Sequence, residues 1–276
     1  MNWKSLSGIG LGIAGAMLLW KGYRNSHRLE LHHETVVIPD LPPHFDGFRL
    51  LHLTDIHLRR DSSRGEELLA ITEDIDPDLV CLTGDYVFTS LSLPNIELFF
   101  RGLAQRPAVV GVFGNADYRE GVSQEVRSTW GRFFPFLCNS ALCLERQGEC
   151  LWVAGVDDPH LWRDSLYSAM EMVPPDAPTI LLAHSPEIIE RPLDPRIRLI
   201  LCGHTHGGQI CLPNGRALYH NTTLPARFSA GRHDLNGATI YISRGIGSTR
   251  LPLRYGCLPE ITLFTLTRGG EEKNGV

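Results

Sequence analysis

Cysteine is sparse and unpatterned. Seven residues are spread over 276 positions, at 81, 138, 143, 150, 202, 211 and 257, with no CxxC pair. That odd, irregular set argues against a disulfide framework, and free thiols fit a reducing compartment. Long apolar runs are missing from the body, which excludes a polytopic membrane protein. Positive charge is in deficit: Lys plus Arg is 26 against 31 for Asp plus Glu, a net of −5. Such a chain lacks the basic face of a sequence-independent nucleic-acid binder, and no nucleic-acid partner is expected. There is no low-complexity tract, no fixed-period repeat and no clean linker. Hydrophobic residues make up 43% and charged residues 21% of the chain, an ordinary globular balance. Residues 29–276 therefore read as one domain, long enough to bury a sizeable core.

The N-terminus differs from this body. Residues 8–20, GIGLGIAGAMLLW, are uncharged and mostly apolar, with Lys4 before them and Lys21, Arg24 and Arg28 after. Trp3 and Trp20 bracket the run as interfacial aromatics do. The run is shorter than the roughly 20 residues of a spanning helix. An uncleaved membrane anchor over residues 1–28 is favoured over a cleaved signal peptide or a buried N-terminal helix. The excess of basic residues after the run places the body on the cytoplasmic face of the membrane, in a bacterium the inner one.

Along the body, apolar strands run repeatedly into polar loops. The strand-like segments are 29–38, RLLHLTDIHL, DLVCLTGDY, PAVVGVFGNADY, TILLAHSPE, IRLILCGHTHGGQI, ATIYISRGIG and PEITLFTLT. LCLERQGECLWVAGVDD adds two strands joined by a Gln-Gly turn. Helices are expected at 62–76, capped by Ser62 or Ser63, and at 94–104, 122–133 and 164–173. Strands alternating with helices make an α/β protein.

Five strand ends carry residues that bind metals. They are Asp55 and His57 in TDIH, Asp85 in TGDY, Asn115 in FGNAD, His184 in LLAHSPE, and His204 with His206 in CGHTHGG. Sites in α/β sheets form beyond the carboxyl ends of the strands, where these residues would meet. Alternation along a strand would turn Asp55 and His57 to one face, and His204 and His206 likewise. The donors are oxygen and nitrogen without thiolate, which suits Mn, Fe, Zn or Mg and argues against a closed structural zinc site. Seven ligands exceed the needs of one ion, so two divalent ions are expected, with Asp85 bridging them. A lone DxH or GD is ordinary turn chemistry. The ordered set, and above all two histidines around one residue among three glycines, has few structural explanations. Arg59, Arg60, Arg244, Arg250 and Arg254 are candidates for holding substrate phosphate, because a guanidinium matches phosphate bidentately. Asp157 and Asp158 read as loop-fixing residues rather than ligands.

The order D-x-H, G-D, G-N-x-D, H, G-H-x-H resembles the calcineurin-like metallophosphoesterase superfamily over roughly residues 30–267. The segments IPDLPPHFDGFRLLHLTDIHL, AGVDD, GHTHGGQI and SRGIG are similar to its membrane-associated bacterial branch, which includes YkuE and YaeI. The resemblance implies a four-layer sandwich, with two mixed β-sheets packed face to face and helices outside. It implies one metal on Asp55, His57, Asp85 and His206 and another on Asp85, Asn115, His184 and His204, with Mn favoured. It further implies a phosphoesterase in which Asp85, Asn115 and His204 are catalytic and hydroxide held between the ions attacks phosphorus. One departure stands out. The family's GNH histidine is Ala116 here, which points to a leaving group that needs no protonation, as in a pyrophosphate or an activated diester. A phosphorylated small-molecule or lipid-linked substrate is expected. The sharper alternative is UDP-2,3-diacylglucosamine in lipid A biosynthesis. A non-catalytic metal-binding scaffold is the rival class, and the complete ligand set argues against it.

Overall fold

The computed structural model describes residues 3–60, 63–235 and 237–269. Eleven strands form two mixed sheets. The first contains β1 (Glu30–Val37), β2 (Arg49–Leu53), β3 (Leu79–Thr83), β4 (Val109–Val112) and β11 (Glu260–Thr267), in the order β1-β11-β2-β3-β4. The second contains β5 (Ser140–Arg146), β6 (Glu149–Gly155), β7 (Thr179–Leu182), β8 (Ile197–Cys202), β9 (Gly231–Leu235) and β10 (Ala238–Ile242), in the order β5-β6-β7-β8-β10-β9. β2, β3 and β4 are parallel, as are β6, β7, β8 and β10. Their carboxyl ends therefore point the same way within each sheet.

Three apolar clusters define the layers. Leu50, Cys81, Val110 and Phe264 of the first sheet meet Val153, Ile180, Leu199 and Tyr241 of the second. The outer face of the first sheet packs on α2 (Arg64–Ile75), α3 (Leu93–Leu103) and α5 (Ser123–Trp130) through Leu68, Phe99, Phe100, Val126 and Trp130. The outer face of the second packs on α6 (Leu166–Met170) and the loops around Ile188 and Phe228. The four-layer sandwich is thus present. The central strands LVCLT and IRLILC are almost wholly buried because both of their faces are covered.

Several local expectations shift. β9 was not anticipated: GRHDL lacks an apolar alternation, and it forms as a half-exposed edge strand by pairing antiparallel with β10. Residues 115–119 form a short helix, α4 (Asn115–Arg119), where a loop was expected. Ser63 occupies the cap position of α2 without a side-chain hydrogen bond; Ser62 lies outside the described residues. Cys143 and Cys150 are joined in a disulfide across the β5–β6 hairpin, while the other five cysteines are free. The expectation of free thiols throughout is corrected accordingly.

The N-terminal segment is a single helix, α1 (Trp3–Ser26). Among the described residues, no helix is long and apolar enough to cross a membrane, which corrects the reading of a spanning anchor. The interspersed glycines and the polar C-terminal turns, rich in Lys and Arg, dilute its hydropathy. Its C-terminal half docks on the body instead. Arg254 N donates to Gly22 O at 3.0 Å, Asn25 Nδ2 to Arg254 O at 3.0 Å, and Ser26 Oγ to Pro252 O at 2.9 Å.

Candidate metal centre

Each strand that carries a proposed ligand stops before it. β2 ends at Leu53, β3 at Thr83, β4 at Val112, β7 at Leu182 and β8 at Cys202. The ligands follow in tight turns. Asp55, His57, Asp85, His204 and His206 all have φ between 43° and 72°, the left-handed region that non-glycine residues seldom adopt. Such outliers cluster where function fixes the backbone. Strand alternation therefore does not explain the Asp-x-His and His-x-His spacings. The left-handed turns do the aiming.

Backbone bonds lock these turns together. Asp55 N donates to Gly84 O and His57 N to Asp85 O, both at 3.0 Å, while Gly203 N donates to His184 O at 2.8 Å. Asp117 is fully buried and accepts from the amides of Asp85, Tyr86 and Gly114, each at 2.9 Å. It ties the β3 loop to the β4 loop and does so without any help from position 116. Gly203 leaves room for Asp55: a Cβ there would overlap Asp55 Oδ2 and Thr54 Oγ1.

The seven side chains converge in two overlapping groups. In the first, His57 Nε2 lies 3.2 Å from His206 Nε2 and 3.4 Å from Asp85 Oδ2, and His206 Nε2 lies 3.3 Å from Asp55 Oδ1. In the second, His184 Nε2 lies 3.4 Å from Asp85 Oδ1, 3.2 Å from Asn115 Oδ1 and 3.2 Å from His204 Nδ1. Asp85 thus presents one oxygen to each group. Asp55, His57 and His206 have donor atoms close enough to share an ion, and so do Asp55, Asp85 and His184.

The electrostatics match a cation cage. Burial opposes charge on His184, but Asp85 and Asp55 outweigh it and raise its pKa well above the ordinary histidine value. His184 Nδ1 faces the Thr83 carbonyl at 2.6 Å and must carry a proton there, leaving Nε2 for the cage. Burial raises the Asp85 carboxyl, but His184, His57 and His204 override it and lower the net value. Burial raises Asp55. Burial, with His184 and His160 nearby, takes His204 down to about 3. Burial and His57 take His206 well below the usual range. Asp55 Oδ1 is buried and has no hydrogen-bond partner among the described residues. An orphaned buried carboxylate oxygen is costly unless a cation meets it. The donor set therefore fits divalent ions.

A second ring of residues, not anticipated as functional, orients these ligands. The His160 ring packs against His204 at a tilt of 43°, with ring centroids 4.4 Å apart, and its Nδ1 lies 3.5 Å from Glu187 Oε1. That pairing raises the His160 pKa. Asn221 Nδ2 lies 3.1 Å from His204 Nε2. Outer partners of this kind set the orientation of a metal-binding ring. The only sequence signals were DDPH after β6 and Glu187 three residues past His184. Asp157 and Asp158 do fix a loop: Asp157 Oδ1 accepts from Asp158 N at 2.8 Å, and Asp158 Oδ1 from His160 N at 3.2 Å.

The arginines divide differently from expectation. Arg254 has no exposed surface; its guanidinium donates to the carbonyls of Arg244 (2.8 Å), Gly245 (3.2 Å) and Gly247. It therefore holds the 244–247 loop and cannot reach substrate. Arg244 is ion-paired with Glu260 and lines a different cavity. Arg59 packs its guanidinium on the Phe88 ring, 3.6 Å from the centroid, and Arg60 is exposed; neither lines the cleft over the metal ligands. Arg250 does, together with Arg119. The cleft measures about 630 Å³, with His57, Asp85, Asn115, His204 and His206 at its floor and Ile210, Leu218 and Leu251 at its mouth.

Residues 48–208 match the family model described as calcineurin-like phosphoesterase. The chain is 31% identical to the uncharacterized metallophosphoesterase YkuE of Bacillus subtilis, over 92% of each chain. It is 32% identical to the phosphodiesterase YaeI of Escherichia coli, over 79% of this chain and 82% of that one. A 5′-nucleotidase precursor from Thermus thermophilus superposes with a TM-score of 0.48 at 14% identity, covering 80% of this chain and 54% of that one. With its match spanning more than half its length and its metal-type side chains drawn into a single cage, this chain belongs to the calcineurin-like phosphoesterase family, hydrolases of phosphoric ester bonds.

Proposed function

We propose that the chain hydrolyses a phosphodiester or pyrophosphate with two divalent metal ions, manganese favoured over iron, zinc or magnesium. Asp55, His57, Asp85 and His206 would hold one ion, and Asp85, Asn115, His184 and His204 the other. When bound, the ions supply a nucleophilic water at neutral pH and neutralise charge on the phosphoryl group. The protein's part is geometric. Asp85 spaces the two groups, Asp117 holds the loops that carry Asp85 and Asn115, and Glu187 and Asn221 orient the rings beside and within the cage. Ala116 offers no proton to a departing oxygen, which favours a leaving group of low pKa. A general acid is worth about 10² to 10⁴ in rate where one is needed.

The observation that carries this reading is the convergence of donors from five separate loops, each within 3.4 Å of at least one other. Metal-depleted protein refilled separately with Mn²⁺, Mg²⁺ or Zn²⁺ tests it. The substrates are bis-p-nitrophenyl phosphate, an alkyl monophosphate and UDP-2,3-diacylglucosamine. Metal-dependent turnover of a diester or pyrophosphate is expected. Protein that binds no ion, or that turns over the alkyl monophosphate best, overturns the reading.

A lipid-linked substrate is the finer version, with UDP-2,3-diacylglucosamine the specific alternative. The apolar mouth supports it: Leu218 and Leu251 are each 63% exposed beside the polar floor. So does the position of α1, which docks on residues 252–255 next to that mouth and leaves Met17, Leu18, Leu19 and Trp20 exposed near Lys21 and Arg24. We place the protein at the cytoplasmic face of a bacterial inner membrane, in contact with it through this helix. Flotation with anionic phospholipid vesicles tests the placement; protein that stays wholly in the aqueous fraction refutes it.

A further inference from the structure

The Asn115 side chain can face two ways, and each serves a different partner. With its oxygen toward His184 Nε2, at 3.2 Å, it offers the cage a ligand. Its Nδ2 then points outward at the guanidinium of Arg119, meeting Nη2 closely and Nε at 3.3 Å. Turned over, Nδ2 would stand 2.7 Å from His204 Nδ1, and the oxygen would accept from Arg119. The second orientation satisfies a cage without cations. The first is the one a cation demands, and it leaves a set of donors facing one another. Amide N–H groups and guanidinium N–H groups converge there, with no acceptor between them. In that orientation Arg119 must draw back from the amide, and an acceptor entering between them satisfies both, water in the free protein and, better, a negatively charged oxygen.

Arg119 is free to meet such an oxygen. It is exposed, lines the cleft over the metal ligands, and makes no ion pair with a carboxylate among the described residues. Arg244, Arg191, Arg196 and Arg198, by contrast, are each bound to an acidic side chain. Arg119 sits one helical turn beyond Ala116, whose methyl group leaves the approach open. Ala116 N is already occupied by Asp85 Oδ1 at 2.7 Å, so the backbone there offers nothing to an incoming phosphate.

We propose that Arg119, with the outward amide of Asn115, forms the seat for a non-bridging oxygen of the reacting phosphoryl group. The inference rests on the phosphoesterase reading above and names one of its catalytic residues. In the reaction, water adds to phosphorus and the bond to the leaving oxygen breaks. That oxygen keeps the electron pair, and the proton of the water passes to solvent. Charge gathers on the non-bridging oxygens as this happens, and a guanidinium one amide away from the ligand set lowers the barrier. A guanidinium gives up no proton. Arg119 therefore stabilises charge and leaves the departing oxygen unprotonated, in keeping with pyrophosphates and activated diesters as substrates.

The test compares Arg119→Ala and Arg119→Lys with the unaltered full chain, each loaded with Mn²⁺. Removing one preorganised donor typically costs about 10² to 10³ in kcat. Arg119→Ala is expected to lose kcat on that scale with KM for bis-p-nitrophenyl phosphate changed far less, and free guanidinium is expected to restore part of it. Arg119→Lys is expected to stay well below the unaltered protein, since an ammonium lacks the bidentate fork. Independently of turnover, inorganic phosphate should bind the loaded Arg119→Ala protein about tenfold more weakly by calorimetry, the scale of a single charge-assisted hydrogen bond. Elemental analysis should show unchanged metal content. Values of kcat and phosphate affinity within threefold of the unaltered protein would make Arg119 a solvated surface residue and overturn the proposal. An unaltered chain that holds two ions yet hydrolyses no phosphate ester would instead overturn the phosphoesterase reading, while the phosphate titration would still judge Arg119.

Discussion

Gly114→Ala places one methyl group where the cage has no room for it. A Cβ at this position would overlap Asp85 Oδ1, and it would stand 2.7 Å from Asp85 N and 2.8 Å from His184 Cε1. To restore an ordinary carbon–carbon separation of about 3.5 Å, the His184 ring must retreat by about 0.7 Å, and the Asp85 side chain by more. Overpacking of this kind costs about 1–3 kcal/mol. In a chain of this size that lowers the melting temperature by about 2–4 °C for each kcal/mol. The effect on metal should be larger in proportion. Bonds of about 2.0–2.2 Å to nitrogen and oxygen tolerate little displacement. Disturbing the surroundings of ligands typically costs about 10- to 100-fold in affinity. The assay is thermal unfolding with and without Mn²⁺, with elemental analysis of the dialysed protein. Gly65→Ala is the control: on α2 its Cβ would meet Leu58 and Phe99 at 3.6 Å, an ordinary contact. Ala is favoured over Gly in a helix by about 1 kcal/mol, so this variant should melt slightly higher. If Gly114→Ala keeps both ions at native affinity and melts within about 1 °C of the parent, the packing argument for the cage is wrong.

Asp85→Asn removes the carboxylate shared by both ligand groups; bound metal should fall below two ions per chain and turnover by about 10³ or more, and undiminished metal content would refute the bridging role. Phe100→Ala opens the centre of the outer helical layer, where the ring packs edge-on against Tyr86, Trp130 and Phe134. A cost of about 3–5 kcal/mol is expected in urea, and a loss under about 1 kcal/mol would show the cluster to be loosely packed. Above about pH 6.5 the metal-free protein should lose stability as pH rises. His184 is raised well above its unfolded value by Asp85, so its contribution is complete below about pH 6.5 and is lost as pH climbs through its folded value. Asp55 and Asp117, both raised chiefly by burial, act in the same direction from about pH 4 upward, Asp117 up to about 7. Asp85, His204 and His206 are lowered and act oppositely, all below about pH 6.5. Metal uptake must expel the protons held in the cage, so binding should strengthen with pH and release protons. Calorimetry in two buffers of different ionisation enthalpy measures that release, and identical heats in the two would contradict it.

Much of the centre was legible because metal chemistry restricts residue type. Asp, His and Asn after successive apolar strands form a short list of candidates, and the parallel sheets place those strand ends together. The reason first given for the spacing was nonetheless wrong. Asp55 and His57 lie beyond β2, and left-handed turns rather than strand alternation aim them. Asp tolerates the left-handed region better than most side chains, but nothing in the sequence marks Asp55 as one held at φ 50°. Four of the five candidate arginines were misplaced for a related reason. Arg254 looks like any surface guanidinium in the sequence, but the loop 244–247 turns three carbonyls inward and draws it into the core. Arg119, His160 and Asn221 depend on contacts between loops far apart in the chain, and no local pattern announces such contacts. β9 was missed because its polar run becomes a strand only when β10 offers an edge.

The left-handed ligands also explain how the fold and the chemistry depend on each other. A non-glycine residue in that region costs about 1–2 kcal/mol, and five of the seven ligand residues are held there. Local preference alone would relax these turns, so the surrounding structure must hold them. Asp117 gathers three amides from two loops, Asp55 Oδ2 accepts from His204 N at 2.8 Å, and Gly247 N donates to Asp55 O at 2.7 Å. Six other non-glycine residues, Asp76, Asn139, Gln147, Trp162, Gln209 and Arg250, also sit in that region, but the ligand loops hold its densest group. That is where a rigid, preformed cage would shorten the reorganisation needed to bind two like-charged ions side by side. The corollary concerns stability: the turns persist only while the sheets and their three apolar clusters oppose their relaxation, so metal adds its binding energy to a site that the rest of the fold holds in place.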